Sequence, residues 1–412
     1  MKRMHFHLKY LICTLAGLCL LFTLASSGRA QSMSDPYQSK NQSVLSSGPS
    51  LKIGVSQDGI YRIRYEDLVS QGLLNQAEPS SRINLYGNKA GMLPFFNTPD
   101  IPDDLSPLPI LMQDGGDGMF GPGDYFLFFG QSPHVWTYDS SYGFLHQTNY
   151  YSDTTYYFVS AHSESAIRVG STSNASQSDL RISTSIEHVH HESDLSNICN
   201  GSVHWMGERF SSSGQSQTVT LSTPNPANTH RNNAKILIQT AAQTNNGTAS
   251  FTIDAAGTSM KISHTRATGS NESSLCTDMQ SIQRELSVSS SQLPLSFSFQ
   301  KSQAAGNGFI DFISLSYERQ LSVQNQALFF RNPEALNRKA SFSLQAGEGL
   351  IVWDITNVYH IQEFPLTRNG NSYSFTAPAD SILHEYAAFY PNNAQSPSFA
   401  GLQSAQNLHG AA

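Results

Sequence analysis

Alternation with period two constrains this chain more than any other feature. Leu295, Phe297 and Phe299 alternate with Ser296, Ser298 and Gln300, and Ile313, Leu315 and Tyr317 alternate with Ser314 and Ser316. Val219 and Leu221 sit between Thr218, Thr220 and Ser222, and Phe251 and Ile253 frame Thr252 beside Asp254. Successive side chains of a strand point to opposite faces, so each stretch puts one face on a core and the other toward water. A helix needs apolar residues three and four apart, and that period is nearly absent. One short helix or turn is expected at Tyr65–Leu68 with Leu73 and Leu74, and a helical turn at 193–200. Many amphipathic strands divided by Gly, Asn and Pro predict an all-β chain, with a jelly-roll-like sandwich at residues 186–335.

The regions before and after the sandwich also read as β. In 51–167, Lys52–Val55 predicts a strand, Asp58-Gly59 a tight hairpin turn, and Ile60–Ile63 the returning strand. Ile83–Gly87 and Tyr150–Val159 are further strands. Tyr125–Gly130 is continuously apolar, the pattern of a strand covered on both faces. The Ser, Gly and Asn stretch at 168–181 reads as a boundary. Residues 336–398 form an additional β segment packing on the sandwich, built from Ser341–Leu344, Leu350–Trp353, Ser372–Phe375 and His384–Tyr390. Residues 399–412 read as an interrupted linker.

The first thirty residues have the order of a secretory signal peptide. Lys2, Arg3 and Lys9 precede an apolar stretch from Leu11 to Ala25, and Gly28-Arg29-Ala30 supplies a small-residue cleavage site. The apolar core is shorter than the ~20 residues that span a bilayer as a helix, and no other segment approaches that length. Residues 31–50, rich in Ser and Gln, read as a disordered leader. Four of the 24 basic residues lie in the first thirty, leaving 20 against 31 acidic ones, a net charge of −11. That balance excludes a basic nucleic-acid surface.

Candidate chemistry is sparse. Asp114, Asp117 and Asp124 share a Gly-rich loop that offers carboxylates to a hard cation such as Ca²⁺. The EF-hand spacing is not met, and turn-capping aspartates explain the loop as well. His188, His190, His191, Glu192 and Asp194 lie close together. A zincin helix wants a second His where Leu195 stands, so the group reads as solvated polarity at a strand end rather than a zinc centre. Cys199 and Cys276 are the two cysteines beyond the signal, and in an oxidising envelope they can pair. Neither lies in a nucleophile signature, and no G-x-S-x-G elbow, Walker loop or dinucleotide fingerprint is present. Trp136, Tyr138, Tyr142, Tyr150 and Tyr151 are either core aromatics or, as on many jelly-roll modules, platforms for sugars.

A series of short segments adds a family resemblance. In order they are Asp58-Gly59-Ile60-Tyr61-Arg62-Ile63 with Tyr65-Glu66-Asp67-Leu68, Leu85-Tyr86-Gly87-Asn88 with Gly91-Met92-Leu93-Pro94, and Asp117-Gly118, Phe120, Gly123-Asp124-Tyr125 with Phe129-Gly130-Gln131. His191-Glu192 with Asp194-Leu195, Trp205 with Gly207-Glu208, Tyr317–Leu321, Val352–Thr356 and Gln406–Gly410 follow. Their collinear order resembles the amino-terminal, non-catalytic region of PorU-type sortases of the type IX secretion system, gingipain-related proteins of Bacteroidota. The resemblance implies an exported protein of the outer membrane or cell surface, with the periplasm open to this chain. It implies a family activity that removes carboxy-terminal secretion signals from cargo and attaches the cargo to an anionic lipopolysaccharide. It further implies two partners, an outer-membrane barrel shuttle and an associated surface protein; apart from the structural Ca²⁺ that the loop aspartates could hold, no cofactor is expected. The family's cysteine peptidase domain, with its Cys-His dyad, is expected after the stretch matching Gln406–Gly410, so no catalytic position carries over. A different class of function, a free-standing envelope module that binds glycan or protein, is the competing expectation.

Overall fold

The computed structural model describes residues 42–96, 101–162, 166–198, 205–227, 233–244, 247–265 and 277–409. Among these residues strands dominate, and the single α-helix is the six-residue Tyr65–Ser70. Its buried face is Tyr65 and Leu68, and the Asp67 carboxylate caps it by accepting from the Arg64 backbone N–H. The described part of the turn expected at 193–200 forms no helical turn, and Ser196 makes an antiparallel bridge to Met206. The signal peptide expected at residues 1–30 lies outside the described residues.

The alternating strands build a five-stranded and a four-stranded sheet, the former including the short Arg209–Phe210 beside Gly308–Gln320. Thr184–Glu192, Gly308–Gln320, Asn233–Ala242 and Asp278–Ser287 lie side by side in one, in that spatial order. Ser216–Ser222, Gln292–Lys301, Ala249–Ala255 and Thr258–His264 form the other. The pairings are nested: first strand with last, second with second-last, and inward to the central hairpin 249–264. That nesting is the jelly roll. Every pairing is antiparallel, so the period-two pattern is converted directly into a core of Phe251, Phe297, Phe299, Ile236, Ile238, Ile313 and Leu315. Burying one such side chain is worth roughly 1.5–3 kcal/mol.

The preceding region is a second sandwich. Ser50–Val55 pairs with Thr155–Ser160 on one side and with Ser398–Gln403 on the other. Gly59–Arg64 pairs instead with Tyr125–Gly130 in a separate sheet. The hairpin expected at Asp58-Gly59 is therefore absent. Asp58 is half-buried and accepts the Ser132 backbone N–H, so these two residues carry the chain from one sheet to the other. Ile53, Ile63, Phe126, Phe128 and Tyr157 fill the space between the sheets.

The third layer is a sandwich of its own. Ile351–Asp354 and Tyr386–Phe389 pair in one sheet, and Ala340–Gln345 and Ser372–Ala377 in the other, around Phe330, Phe342 and Phe375. The stretch at 168–181 enters it as two short parallel additions, Gly170–Ser171 beside Gln362–Glu363 and Leu180–Ile182 beside Ala340–Gln345. This layer covers the outer face of Tyr125–Gly130, where Leu127 and Phe129 meet Trp353, Ile355 and Phe389. The continuous apolar run is thus buried on both faces, as its pattern requires.

Both ends of the described chain are tied in. Leu45 is buried, its carbonyl accepts the Gln406 N–H, and Asp104 and Asn407 cap the turn at Ser43 and Val44. The leader is therefore ordered from residue 42, and the stretch expected as linker opens with an edge strand. No described helix is long and apolar enough to cross a membrane.

Candidate functional site

The polar residues gather where a hairpin of the first region lies across the jelly roll. Val135–Asp139 and Gly143–Gln147 form that hairpin. Alternation in Thr184–Glu192 turns Val189 into the core and leaves His188, His190 and Glu192 on the outer face. Across the register lie Ser316, Ser314 and Phe312. The hairpin covers this face and is pinned at its turn. Phe144 N–H donates to Ser316 Oγ at 2.9 Å, Lys235 Nζ to the Ser140 carbonyl at 2.7 Å and Gln283 Nε2 to the Ser141 carbonyl at 2.7 Å. Its cross-strand pairs Trp136–His146 and Tyr138–Phe144 face the histidines.

The result is an aromatic stack with ionisable edges. The His146 and His190 rings stack at 4.1 Å, and Trp136 lies 3.8 Å from His188. His190 Nδ1 meets Ser314 Oγ at 2.8 Å, and His190 Nε2 meets Glu192 Oε2 at 3.1 Å. Thr148 Oγ1 donates to the same Glu192 oxygen at 2.8 Å and lies 3.3 Å from His146 Nδ1. Burial lowers the His146 pKa to about 4, helped by the neighbouring His190 and His134, so its ring is neutral over most of the pH range. Burial also pushes His188 well down, with Arg331 and His146 adding to the effect. The bond to His190 holds Glu192 below the usual carboxylate range. These histidines are not the solvated polarity that sequence implies: the side chains of His188 and His190 are 16% and 11% exposed.

Beside this stack a cleft of ≈ 440 Å³ opens between the hairpin, the jelly roll and the turn at 332–334. Tyr138, Lys235, Tyr317, Glu318 and Asn332 line it.

His191 belongs to neither feature. It points to the opposite face and binds Glu208 at 2.8 Å. A further pair of contacts surrounds His384 in the third layer. Asp354 Oδ2 lies 2.7 Å from Nδ1 and Asp380 Oδ2 lies 3.1 Å from Nε2, and the Asp354 bond raises the His384 pKa.

The three loop aspartates each cap a turn. Asp114 accepts from Ser80 Oγ at 2.5 Å and from Gly116 N–H, Asp117 from Met119 N–H and Asp124 from Gly121 N–H. Gly116, Gly118 and Gly123 supply the positive φ those turns require. Among the described residues, the one group with ligand atoms within 4.8 Å of one another is His146, His190 and Glu192. Cys199 and Cys276 lie outside the described residues. Of the aromatics singled out by sequence, Trp136 is half-buried in the stack, whereas Tyr142, Tyr150 and Tyr151 are exposed. Sequence reasoning missed His146. The available signal was the alternation of His134, Trp136 and Tyr138, followed by Phe144 and His146, two aromatic stripes too rich in imidazole for an ordinary exposed hairpin.

No family model and no curated protein matches the sequence. Among solved structures, dimeric latent PorU from Porphyromonas gingivalis superposes at a TM-score of 0.75 with 22% identity. The match covers 90% of this chain and 35% of that one. The insecticidal delta-endotoxin Cry8Ea1 of Bacillus thuringiensis matches 66% of this chain and 52% of its own at a TM-score of 0.24 and 10% identity. A beta-porphyranase of glycoside hydrolase family 86 from Bacteroides plebeius also covers 66%, and 34% of its own length, at 0.20 and 10%. Scores that low carry no argument. The likeness that stands is to PorU: this chain has the fold of about a third of that protein.

Proposed function

We propose that this chain is the non-catalytic part of a PorU-like protein of type IX secretion. It is exported, and its three β layers hold and orient a cysteine peptidase domain at the outer membrane. The observation that carries this reading is the extent of the PorU likeness, which runs through all three layers instead of one sandwich. A generic jelly roll would match over the central layer alone. The charge balance agrees, because a chain of net −11 beyond its first thirty residues, with no basic run in its sequence, suits protein partners in the envelope better than nucleic acid.

The partners are those of the secretion apparatus, an outer-membrane barrel and a surface protein. Affinity capture of the tagged full chain from cross-linked cells of its own species tests this. Recovery of an outer-membrane barrel together with a surface-exposed protein is the expected result. Recovery of the chain alone, free in the periplasm, would overturn the proposal.

A further inference from the structure

We propose that His146, His190 and Glu192 form a binding site for a divalent ion of the zinc class, clamping the 135–147 hairpin onto the jelly roll. Two imidazoles and one carboxylate from separate elements converge here, with ligand atoms within 4.8 Å of one another. Two histidines and a glutamate are a recurrent zinc donor set, completed by a water at the fourth position. His190 is already oriented as a ligand. Ser314 Oγ sits 2.8 Å from Nδ1 and can accept Nδ1–H once Nε2 gives up its proton, so Nε2 is placed to face an ion on the Glu192 side. The Nε2 to Oε2 separation of 3.1 Å is close to the roughly 3.3 Å edge of a tetrahedron with ~2.0 Å bonds. The ion takes the place of the proton that now lies between these two atoms. Thr148 supports the Glu192 oxygen from outside, and Trp136 and Phe312 wall the histidines with apolar surface. Glu192 is exposed and leaves the position open to solvent.

The site spans a junction. His146 lies on the hairpin, and His190 and Glu192 on the edge strand of the jelly roll. Binding therefore ties together parts of the chain that are otherwise joined here by stacking and a few hydrogen bonds.

Titration calorimetry of the chelator-treated full chain with ZnCl₂ tests the site. One equivalent is expected to bind, weakened by about tenfold or more in both Glu192→Gln and His146→Ala. Glu192→Gln keeps an exposed amide of the same shape, so its folding is not at risk. Co²⁺ should give the absorption bands of a four-coordinate nitrogen and oxygen site without a thiolate band. Absence of binding, or binding that survives both substitutions unchanged, overturns the proposal.

Discussion

Two half-buried ionisable residues illustrate opposite uses of the same physics. Asp58 lies where the chain changes sheets, and burial raises its pKa to about 6 from an ordinary 3.8. A raised carboxylate means that the fold binds the proton more tightly than the unfolded chain does. Stability from this group is present at low pH and is lost as pH rises from about 4 to 6. Asp58→Asn keeps an acceptor for Ser132 and removes the ionisation. Urea unfolding at pH 4.5 and pH 7.5 should show the variant gaining on the parent at the higher pH, by the order of 1–3 kcal/mol. An identical pH slope in both proteins would contradict the assignment. His384 works the other way in charge but not in sign. Asp354, then Asp380, favours its imidazolium, so its contribution is full below about pH 6.5 and fades as pH rises through the elevated folded value. Its NMR titration midpoint should lie above 6.5 and fall in Asp354→Asn.

At the scale of elements, the hairpin 135–147 decides the character of the site. Gly143 holds φ +85°, and a Cβ there would come within 2.5 Å of Ser316 Oγ, the atom that receives Phe144 N–H. Gly143→Ala should therefore lift the hairpin and cost about 1–3 kcal/mol. Hydrogen exchange should quicken across 135–147 and leave 249–264 protected. Much of the strand pattern was legible: alternation located four strands of the jelly roll, and the apolar run at 125–130 announced its double burial. What failed was partner choice. Asp58-Gly59 looks like a hairpin because local turn chemistry favours one, yet its flanking strands gain more by entering two sheets. His188 and His190 looked solvated because nothing local in their strand reveals a cover supplied by residues 135–147. Pairing between distant segments leaves no period in either of them.

For the whole molecule, the shared core around Trp353 matters most. Trp353 is fully buried between Phe389 of its own sheet and the outer face of Tyr125–Gly130. Trp353→Ala should cost about 3–5 kcal/mol. Exchange protection should fall at 125–130 as well as at 386–389, because one cluster serves both sheets; a loss confined to 386–389 would show the layers to be independent. The edge strand 398–403 has the same consequence from the other end of the chain, since it closes the sheet that Ser50–Val55 begins. The most direct measurement is made in the source bacterium with this gene deleted. The account predicts that type IX cargo keeps its carboxy-terminal signal and is lost from the cell surface, and that the intact gene restores both. Cargo that is trimmed and displayed as in the parent strain would contradict it.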